Sequence, residues 1–311
     1  MRIFITGGAG CLGSNLIEHW VPEGHEILVL DNFITSKKEV LPDVPGLKVI
    51  EGDVSNLSIL ENCFDEFNPE IVIHSAASYK DPCDWQTDVG TNVNGSINIA
   101  KLSEKYSVNR LINFQTALCY GRPSEIPIPV CHPTAPFTSY GISKTAGEQY
   151  ILNSELPSIS LRIANVISPR LSIGPIPTFY KRLKAGQDCF CSDTSRDFLD
   201  IDDFFRFMDI AIQDRSPLGV YNISSGKDNS VKEIFDIVAS HLNLGEIDVP
   251  IVQADKDDVK TVCLDPTETG IAFNWKAEVS FEESVIKLLK WYDNFGVSDV
   301  YSHLKSPKSS S

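Results

Sequence analysis

Two residues of one predicted helix could move a proton. Tyr140 and Lys144 stand four positions apart in SYGISKTAGE, so on a helix they face the same side. A free tyrosine has a pKa of about 10 and is a poor base at neutral pH, but a nearby ammonium group stabilises the phenolate and lowers that pKa. Such a pair suits the removal of a proton from a hydroxyl group. In isolation the same spacing also fits an ordinary pair on a helix surface.

A third residue, Thr116, ends a predicted strand inside FQTALCYG. Its hydroxyl group can form hydrogen bonds both to a substrate alcohol and to Tyr140. Ligands bind at the carboxyl ends of the strands in open parallel α/β sheets. Thr116, Tyr140 and Lys144 are therefore the candidate catalytic residues.

A glycine-rich loop near the N-terminus could hold a dinucleotide. Gly7, Gly10 and Gly13 follow a predicted strand and precede a predicted helix, which permits a tight turn, a close approach to a pyrophosphate and close helix packing. Asp31 ends the second predicted strand, where a carboxylate accepts hydrogen bonds from a ribose diol and repels a 2′-phosphate. The loop therefore predicts NAD rather than NADP. An oxidised nicotinamide would add to the effect of the lysine on Tyr140.

Short apolar runs alternate with helical patterns, which is typical of a parallel sheet covered on both faces. The predicted strands are Arg2–Thr6, Glu26–Leu30, Leu47–Glu51, Ile71–His74, Arg110–Gln115 and Ser158–Ile163. The predicted helices are Cys11–Trp20, Leu57–Phe67, Asn92–Tyr106, Ser139–Leu152, Phe179–Gly186, Val231–Leu242 and Phe281–Phe295.

We therefore predict an α/β fold, a Rossmann-type doubly wound parallel sheet with a smaller C-terminal α/β substrate lobe. The NAD-binding domain is expected over residues 1–166, with later segments returning to it, and the substrate lobe mainly over 167–305. Residues 306–311 are expected to form a disordered tail. His74, which ends the fourth strand near the expected cofactor, is predicted to be a packed histidine that bonds the backbone. A cluster of carboxylates is predicted to cap a helix rather than to bind a metal, namely Asp200, Asp202 and Asp203.

The composition limits the partners. The 311 residues are 42% hydrophobic and 22% charged, as in ordinary folded proteins. The formal net charge of −15 argues against nucleic-acid binding, and it means that an anionic ligand needs a local cluster of donors. We expect no signal peptide and no membrane insertion. The 8 cysteines contain no CxxC pair, so we expect no metal site and the reduced thiols of a cytoplasmic protein.

Motifs spread over residues 1 to about 295 resemble the extended short-chain dehydrogenase/reductase family, the NAD-dependent sugar-nucleotide epimerases and dehydratases. They are TGGAGCLGSN, DNF, EGDV, HSAA, NVNGS, QTALCYG, SYGISK, LRIANVISPR, RDFLDIDD, YNISSG and WKAEVSFEES. Longer segments such as TAPFTSYGISKTAGE and GPIPTFYKRLKAGQ resemble the WbmG-type enzymes of bacterial lipopolysaccharide O-antigen loci. The resemblance implies an enzyme of surface-polysaccharide precursor synthesis. It also implies a homodimer that pairs helices 92–106 and 139–152.

The resemblance assigns roles to particular residues. It implies that NAD contacts Gly7, Gly10, Cys11, Leu12, Gly13, Asp31, Asn32, Asp53, Val54, Ala76, Ala77, Asn92, Tyr140 and Lys144. It implies that the sugar nucleotide contacts Lys80, Thr116, Ala117, Asn165, Arg170, Lys181, Arg196 and Val262. Position alone leaves two interpretations of Asp53, a helix N-cap or a group near the adenine.

The residues after Thr116 bear on the reaction. Ala117 and Leu118 stand where 4,6-dehydratases of the family carry an Asp–Glu pair, and neither has a proton to give. Cys119 is one residue away from the cysteine of 3,5-epimerising members, so it is expected on the other face if the strand continues. Hydride transfer remains, and the resemblance implies an NAD-dependent 4-epimerase of a UDP-sugar that works through a transient 4-keto sugar.

Several alternatives stay open at this point. A nucleotide-sugar dehydrogenase or 4-ketoreductase would use the same residues, and a noncatalytic NAD-binding protein could share the fold. Val262 stands near the position that gates the sugar pocket in related enzymes, and a small side chain there leaves room for an N-acetyl group. The O-antigen likeness suggests an acetamido sugar or a uronic acid. Lys80 is the candidate cation for a uronate, with a solvated loop lysine as the alternative.

Overall fold

The computed structural model describes residues 1–79, 81–254 and 259–297. The strands are β1 (Arg2–Thr6), β2 (Glu26–Asp31), β3 (Leu47–Glu51), β4 (Ile71–His74), β5 (Arg110–Thr116), β6 (Ser158–Ile163), β7 (Asn165–Ile167), β8 (Cys191–Ser192), β9 (Ser195–Asp200), β10 (Gly219–Ile223), β11 (Asp228–Ser230), β12 (Ile251–Val252) and β13 (Thr261–Val262). The helices are α1 (Cys11–Trp20), α2 (Leu57–Phe67), α3 (Trp85–Asp88), α4 (Gly95–Lys105), α5 (Ser139–Leu152), α6 (Pro175–Lys184), α7 (Ile201–Ala211), α8 (Val231–His241), α9 (Thr267–Phe273) and α10 (Phe281–Phe295).

Seven strands form one parallel sheet in the order β10-β6-β5-β4-β1-β2-β3. Every residue of β4 and β6 is buried, because helices cover both faces of the sheet. This confirms the predicted doubly wound fold. The order of the strands reverses between β1 and β4, where Thr6 pairs with His74. A crevice at such a reversal, outside the carboxyl ends of the strands, is where ligands bind.

Most predicted elements of the first half have the observed bounds, because their ends carry local signals. The Thr138 side chain accepts a hydrogen bond from the Gly141 N–H and begins α5 at the predicted residue. The predicted helix 92–106 is shorter in the structure, since a π-helical segment, Val89–Asn94, precedes α4. Helix α6 begins at Pro175, before the predicted start, because proline fits the first turn of a helix.

The second half of the chain contributes to two cores. Strand β10 lies beside β6 at the edge of the main sheet. Phe204, Phe207 and Met208 of α7 are buried in the same apolar core as β1 and β2. A smaller sheet, in the order β11-β9-β13 with β7 beside β9, lies over a second core with α6, α8 and α10. The tail 306–311 lies outside the described residues.

The aspartates around the start of α7 have different roles. Asp200 accepts a hydrogen bond from the Asp202 N–H and caps the helix, as predicted. Asp203 does not cap it: its buried carboxylate accepts hydrogen bonds from the N–H groups of Glu278 and Val279, each at 3.0 Å. It therefore joins α7 to the segment before α10. No helix in the described parts of the chain is long and apolar enough to cross a membrane.

Candidate active site

The glycine loop turns tightly from β1 into α1. Gly7 has a φ of +68°, and a Cβ there would lie 2.7 Å from the backbone of Ala76. A Cβ at Gly13 would lie 2.6 Å from the Cα of Gly8, so the helix packs directly on the loop. Within the described chain, no side chain caps the N-terminus of α1 at Gly10. The loop thus offers backbone N–H groups and space for a pyrophosphate, which fits a dinucleotide.

Replacing Gly7 by alanine is expected to weaken NAD binding about tenfold or more, because an L-residue at this φ is strained and its Cβ meets the loop after β4. Calorimetric titration with NAD would measure the loss. Gly24→Ala is a matched control, since Gly24 has a φ of +83° but a Cβ there would meet nothing within 4 Å. Equal dissociation constants for wild type and Gly7→Ala would contradict the prediction.

Asp31, at the end of β2, holds the glycine loop as well as facing it. Its Oδ2 accepts a hydrogen bond from the Ala9 N–H at 2.9 Å. Its Oδ1 accepts hydrogen bonds from the Phe33 N–H and the Ser36 hydroxyl. The carboxylate predicted to bind a ribose diol therefore also fixes the loop that would bind the phosphates.

Asp53 lies beside Asp31 in the next loop. Its carboxylate accepts hydrogen bonds from the Asn32 amide at 2.7 Å and from the N–H and hydroxyl groups of Ser55. Burial would raise the pKa of Asp53, but these hydrogen bonds outweigh it and lower the pKa. The N-cap of α2 is Asn56, so the capping interpretation of Asp53 is wrong.

Three residues predicted to contact NAD have mainly structural partners. The Val54 side chain is buried, and a Cβ at Gly95 would lie 2.5 Å from its Cγ2. The Asn92 amide accepts a hydrogen bond from the Ser78 N–H and donates to the Ser78 carbonyl and the Ser143 hydroxyl. The Ala76 N–H donates to the Thr6 hydroxyl group at 3.3 Å. Ala77 and Ser78 continue this loop, so Asn92 fixes the loop against α5.

His74 is fully buried and bonded on both ring nitrogens. Ser96 Oγ donates to the Asn92 carbonyl, so it accepts from His74 Nε2, and Nδ1 accepts from the Thr6 hydroxyl group at 2.9 Å. The prediction that this histidine is packed agrees with its burial, but the predicted backbone partner is wrong, because both ring nitrogens bond side-chain hydroxyl groups. The chain of hydrogen bonds links β1, β4 and α4 just below the ligand edge of the sheet.

The stability of the protein is expected to fall as the pH drops below about 6.5, in part because of His74. Burial, with the charge of Lys144 adding to it, lowers the pKa of His74 to about 3, whereas an unfolded histidine titrates at about 6.5. Between these values the unfolded state binds one more proton, so unfolding becomes easier. Urea unfolding between about pH 7 and pH 5.5 should show a shallower slope in His74→Asn. His132→Asn is the control, because the His132 ring forms a hydrogen bond with the Ser124 hydroxyl group at the protein surface. An unchanged slope in His74→Asn would contradict this account.

The structure brings Thr116, Tyr140 and Lys144 to the same edge of the sheet. Thr116 ends β5, and α5 packs against β5 with Tyr140 and Lys144 in its first two turns. The Gln115 side chain donates to the Lys144 carbonyl at 3.1 Å and fixes the helix on the strand. The Tyr79 ring, from the loop after β4, meets the Tyr140 ring edge to face at 6.2 Å.

Burial dominates the electrostatics of the pair. It raises the pKa of Tyr140, and the Tyr79 phenol and the Asp88 carboxylate raise it further. It lowers the pKa of Lys144 to about 8, although the charge of Glu148 acts in the opposite direction. In the protein alone, desolvation of the phenolate therefore sets the direction of the pKa shift of Tyr140. The lowering expected from Lys144 together with an oxidised nicotinamide stays a prediction for the NAD-bound enzyme.

The strand does not continue beyond Thr116, contrary to one premise of the sequence analysis. The Thr116 hydroxyl accepts a hydrogen bond from the Leu118 N–H, and Ala117–Tyr120 form a 3₁₀ turn. Cys119 is fully buried in this turn, and burial raises the pKa of its thiol to about 12. Its thiol is therefore not a base for carbon chemistry. Ala117, half-buried beside Thr116, lies at the ligand edge.

Three predicted substrate residues meet in the small sheet. Val262 pairs with Arg196, and the Asn165 amide donates to the Asp197 carbonyl at 3.1 Å. The Arg196 guanidinium donates to the carbonyls of Ser195 and Lys260. Val262 lies in one apolar cluster with Cys119 and Tyr120, so the small sheet adjoins the turn after Thr116.

Other predicted substrate residues lie elsewhere. Arg170 lies against α1, where its guanidinium bonds both carboxylate oxygens of Glu18 and the Ser14 hydroxyl. Its charge is paired there, which the sequence did not indicate. Lys181 is exposed on α6, which packs against α8. Lys80 lies outside the described residues.

Two residues predicted to contact NAD lie in the first turn of α1. Cys11 Sγ lies 3.0 Å from Ser168 Oγ, and Leu12 follows Cys11 in the helix.

Comparisons with known proteins bear on this site. A model of the NAD dependent epimerase/dehydratase family matches residues 3–224. Crystalline Bordetella bronchiseptica WbmG in complex with NAD is 61% identical, with a TM-score of 0.93 over 98% of each chain. WbmG has also been crystallised with NAD and UDP. Thermotoga maritima UDP-glucose 4-epimerase with UDP-glucose is 26% identical, with a TM-score of 0.86 over 94% of this chain and 99% of its own. A putative UDP-glucose 4-epimerase of Methanocaldococcus jannaschii is 28% identical over 94% of this chain and 98% of its own.

Proposed function

The chain belongs to the NAD-dependent epimerase/dehydratase family, and we propose that it inverts C4 of a UDP-sugar through a transient 4-keto sugar. The family match and the NAD-bound structures confirm the predicted family and cofactor. The names of the relatives support 4-epimerisation in particular. The observation that carries the proposal is the composition of the site: a Tyr–Lys–Thr set at the ligand edge, followed by Ala117, Leu118 and a buried thiol.

Thr116, Tyr140 and Lys144 can support hydride transfer at a carbon that carries a hydroxyl group. The residues after Thr116 add no acid or base for the elimination of water. The chemistry that NAD supplies when bound is reversible hydride exchange with a carbon that carries a hydroxyl group. Tyr140 takes the proton of the C4 hydroxyl group and returns it after the keto sugar has turned. The Thr116 hydroxyl orients the sugar oxygen toward Tyr140. Lys144, with its pKa lowered to about 8, still carries most of its charge at neutral pH and stabilises the phenolate.

For the substrate we propose a UDP-linked acetamido sugar or uronic acid. The complexes of similar enzymes with UDP and with UDP-glucose support the nucleotide. Asn165, Arg196 and Val262 are the residues proposed to contact it, since they lie together in the small sheet. The similarity to WbmG supports a role in surface-polysaccharide precursor synthesis, and we propose a cytoplasmic location for it.

Turnover can be tested directly by NMR. The purified protein with NAD would be incubated with UDP-glucose, UDP-N-acetylglucosamine and UDP-glucuronic acid, and the anomeric signals of each C4 epimer followed. The proposal expects one pair to interconvert without net accumulation of NADH. Net NADH with an oxidised product would instead establish a dehydrogenase. If NAD is bound and none of the three UDP-sugars is converted to its C4 epimer, the proposed 4-epimerase activity is rejected.

We also propose that the protein is a homodimer that pairs α4 and α5. On α5, Ile142 and Tyr150 stand about two turns apart and are 51% and 54% exposed, so both side chains are available to a partner helix. Ile142→Asp is expected to shift the protein to a monomer in sedimentation velocity. Ile271→Asp, at an 80% exposed position on α9, should leave the dimer intact. A wild-type monomer, or a dimer that survives Ile142→Asp, would reject this interface.

A further inference from the structure

Asp88 is a buried carboxylate with one unsatisfied oxygen. It ends α3, and it is 1% exposed while Trp85 of the same helix is 67% exposed. Its Oδ2 accepts a hydrogen bond from Ser139 Oγ at 2.6 Å. Its Oδ1 is buried and has no hydrogen-bond partner among the described residues. A buried acceptor without a donor costs free energy, so this arrangement calls for a compensating role.

The position of Asp88 relative to the reacting group suggests that role. Ser139 and Tyr140 are the first two residues of α5, so the hydrogen bond from Ser139 ties the start of the catalytic helix to α3. A negative charge beside the first turn of a helix is stabilised by the unpaired N–H groups there. The same charge destabilises an anion on the neighbouring Tyr140.

Few other charged or titratable groups act on the Tyr140 phenol within the described chain. Tyr79 faces it from the loop after β4, and Lys144 follows one turn later on α5. From α3, the charge of the Asp88 carboxylate acts on it. Asp88 is therefore the carboxylate whose charge opposes formation of the phenolate.

We propose that Asp88 is a positioning residue of the active site, which fixes the start of α5 through Ser139 and whose charge opposes ionisation of Tyr140. The inference rests on the proposed function, because it assigns to Tyr140 the proton transfer of that reaction. A trade-off follows from it: when Tyr140 resists ionisation, less phenolate is available to take the proton of the substrate hydroxyl group, but the phenolate that does form is a stronger base.

The test compares pH profiles of kcat/KM for the NAD-loaded enzyme. Asp88→Asn keeps the volume and an acceptor for Ser139 but removes the charge. It is expected to move the acid limb of the profile down by about 0.5 to 1 pH unit, since the phenolate becomes easier to form. Ser139→Ala removes the hydrogen bond and leaves the charge, so it should lower kcat without moving the limb. An acid limb that stays in place in folded Asp88→Asn overturns the proposal.

A second measurement does not need turnover. The phenolate absorbance of Tyr140 can be titrated in the NAD-loaded proteins, as the difference between each protein and its Tyr140→Phe partner. The midpoint is expected to fall in Asp88→Asn, and in Asp88→Ser should the first variant not fold. A lower midpoint in a protein without epimerase activity would support Asp88 and reject the proposed function. An unchanged midpoint in a protein with epimerase activity would reject the role of Asp88 and support the proposed function.

Discussion

Tyr140→Phe is expected to lower kcat for C4 epimerisation by about 10³-fold, because the variant keeps the ring and loses the group that carries the proton. The ring also packs against Tyr79, and phenylalanine preserves that contact. The loss should therefore appear in kcat, with little change in the affinity for NAD. NMR of the interconverting sugars measures the rate, and calorimetric titration measures the cofactor.

A matched control lies almost three turns further along the same helix. Tyr150 is 54% exposed and lies on the outer face of α5. Tyr150→Phe makes the same chemical change and should leave kcat within about twofold of wild type. Wild-type turnover by Tyr140→Phe would remove the tyrosine from the mechanism. Equal losses in both variants would mean that the helix, and not the phenol, had been disturbed.

Glu148→Ala is expected to destabilise the protein by about 3–5 kcal/mol, because it leaves the buried charge of Arg162 without its carboxylate partner. The Glu148 carboxylate is fully buried on α5 and accepts hydrogen bonds from Arg162 of β6, at 3.0 Å from Nη2 to Oε2. Ser160 Oγ donates to Glu148 Oε1 at 2.7 Å. Without the carboxylate, the Arg162 charge would remain beneath the catalytic helix with only neutral partners.

Urea unfolding at a fixed NAD concentration would measure this loss, since bound cofactor adds its own stability. Glu66→Ala is the control: Glu66 pairs with Lys48, but both side chains are more than half exposed, so the change should cost at most about 1 kcal/mol. Similar losses for the two glutamates would contradict the account. A large loss at Glu148 alone would support it.

The buried ion pair also explains how the second half of the chain supports the site. Arg162 Nη1 donates to the Tyr120 hydroxyl group, which donates in turn to the Asn222 amide oxygen at 2.7 Å. Asn222 lies on β10, so α5, β6, the turn after Thr116 and the edge strand share one buried network. Neither Glu148 nor Arg162 stood out in the sequence, because only their contact across 14 residues gives them a role.

The acidic composition illustrates the same limit. A net charge of −15 called for local donors around an anionic ligand, and the sequence suggested several basic residues. The structure pairs one of them, Arg170, with Glu18, and leaves Lys181 on an exposed helix face. Arg196 remains in the small sheet beside Val262. Composition counts charges, but only the fold determines which of them are neutralised by a neighbour.

Elements that depend on neighbours along the chain could be predicted from the amino-acid order. Apolar strands, helix periodicity and capping residues are local signals, so β1, α1 and α5 have their predicted bounds. The glycine loop and the Tyr140–Lys144 spacing carry their chemistry in a few adjacent positions. The pairing of Glu148 with Arg162 and the burial of Asp88 beside Ser139 arise only when distant segments pack together. The raised pKa of Tyr140 has the same origin, because desolvation depends on what surrounds a group in space and not on what precedes it in the chain.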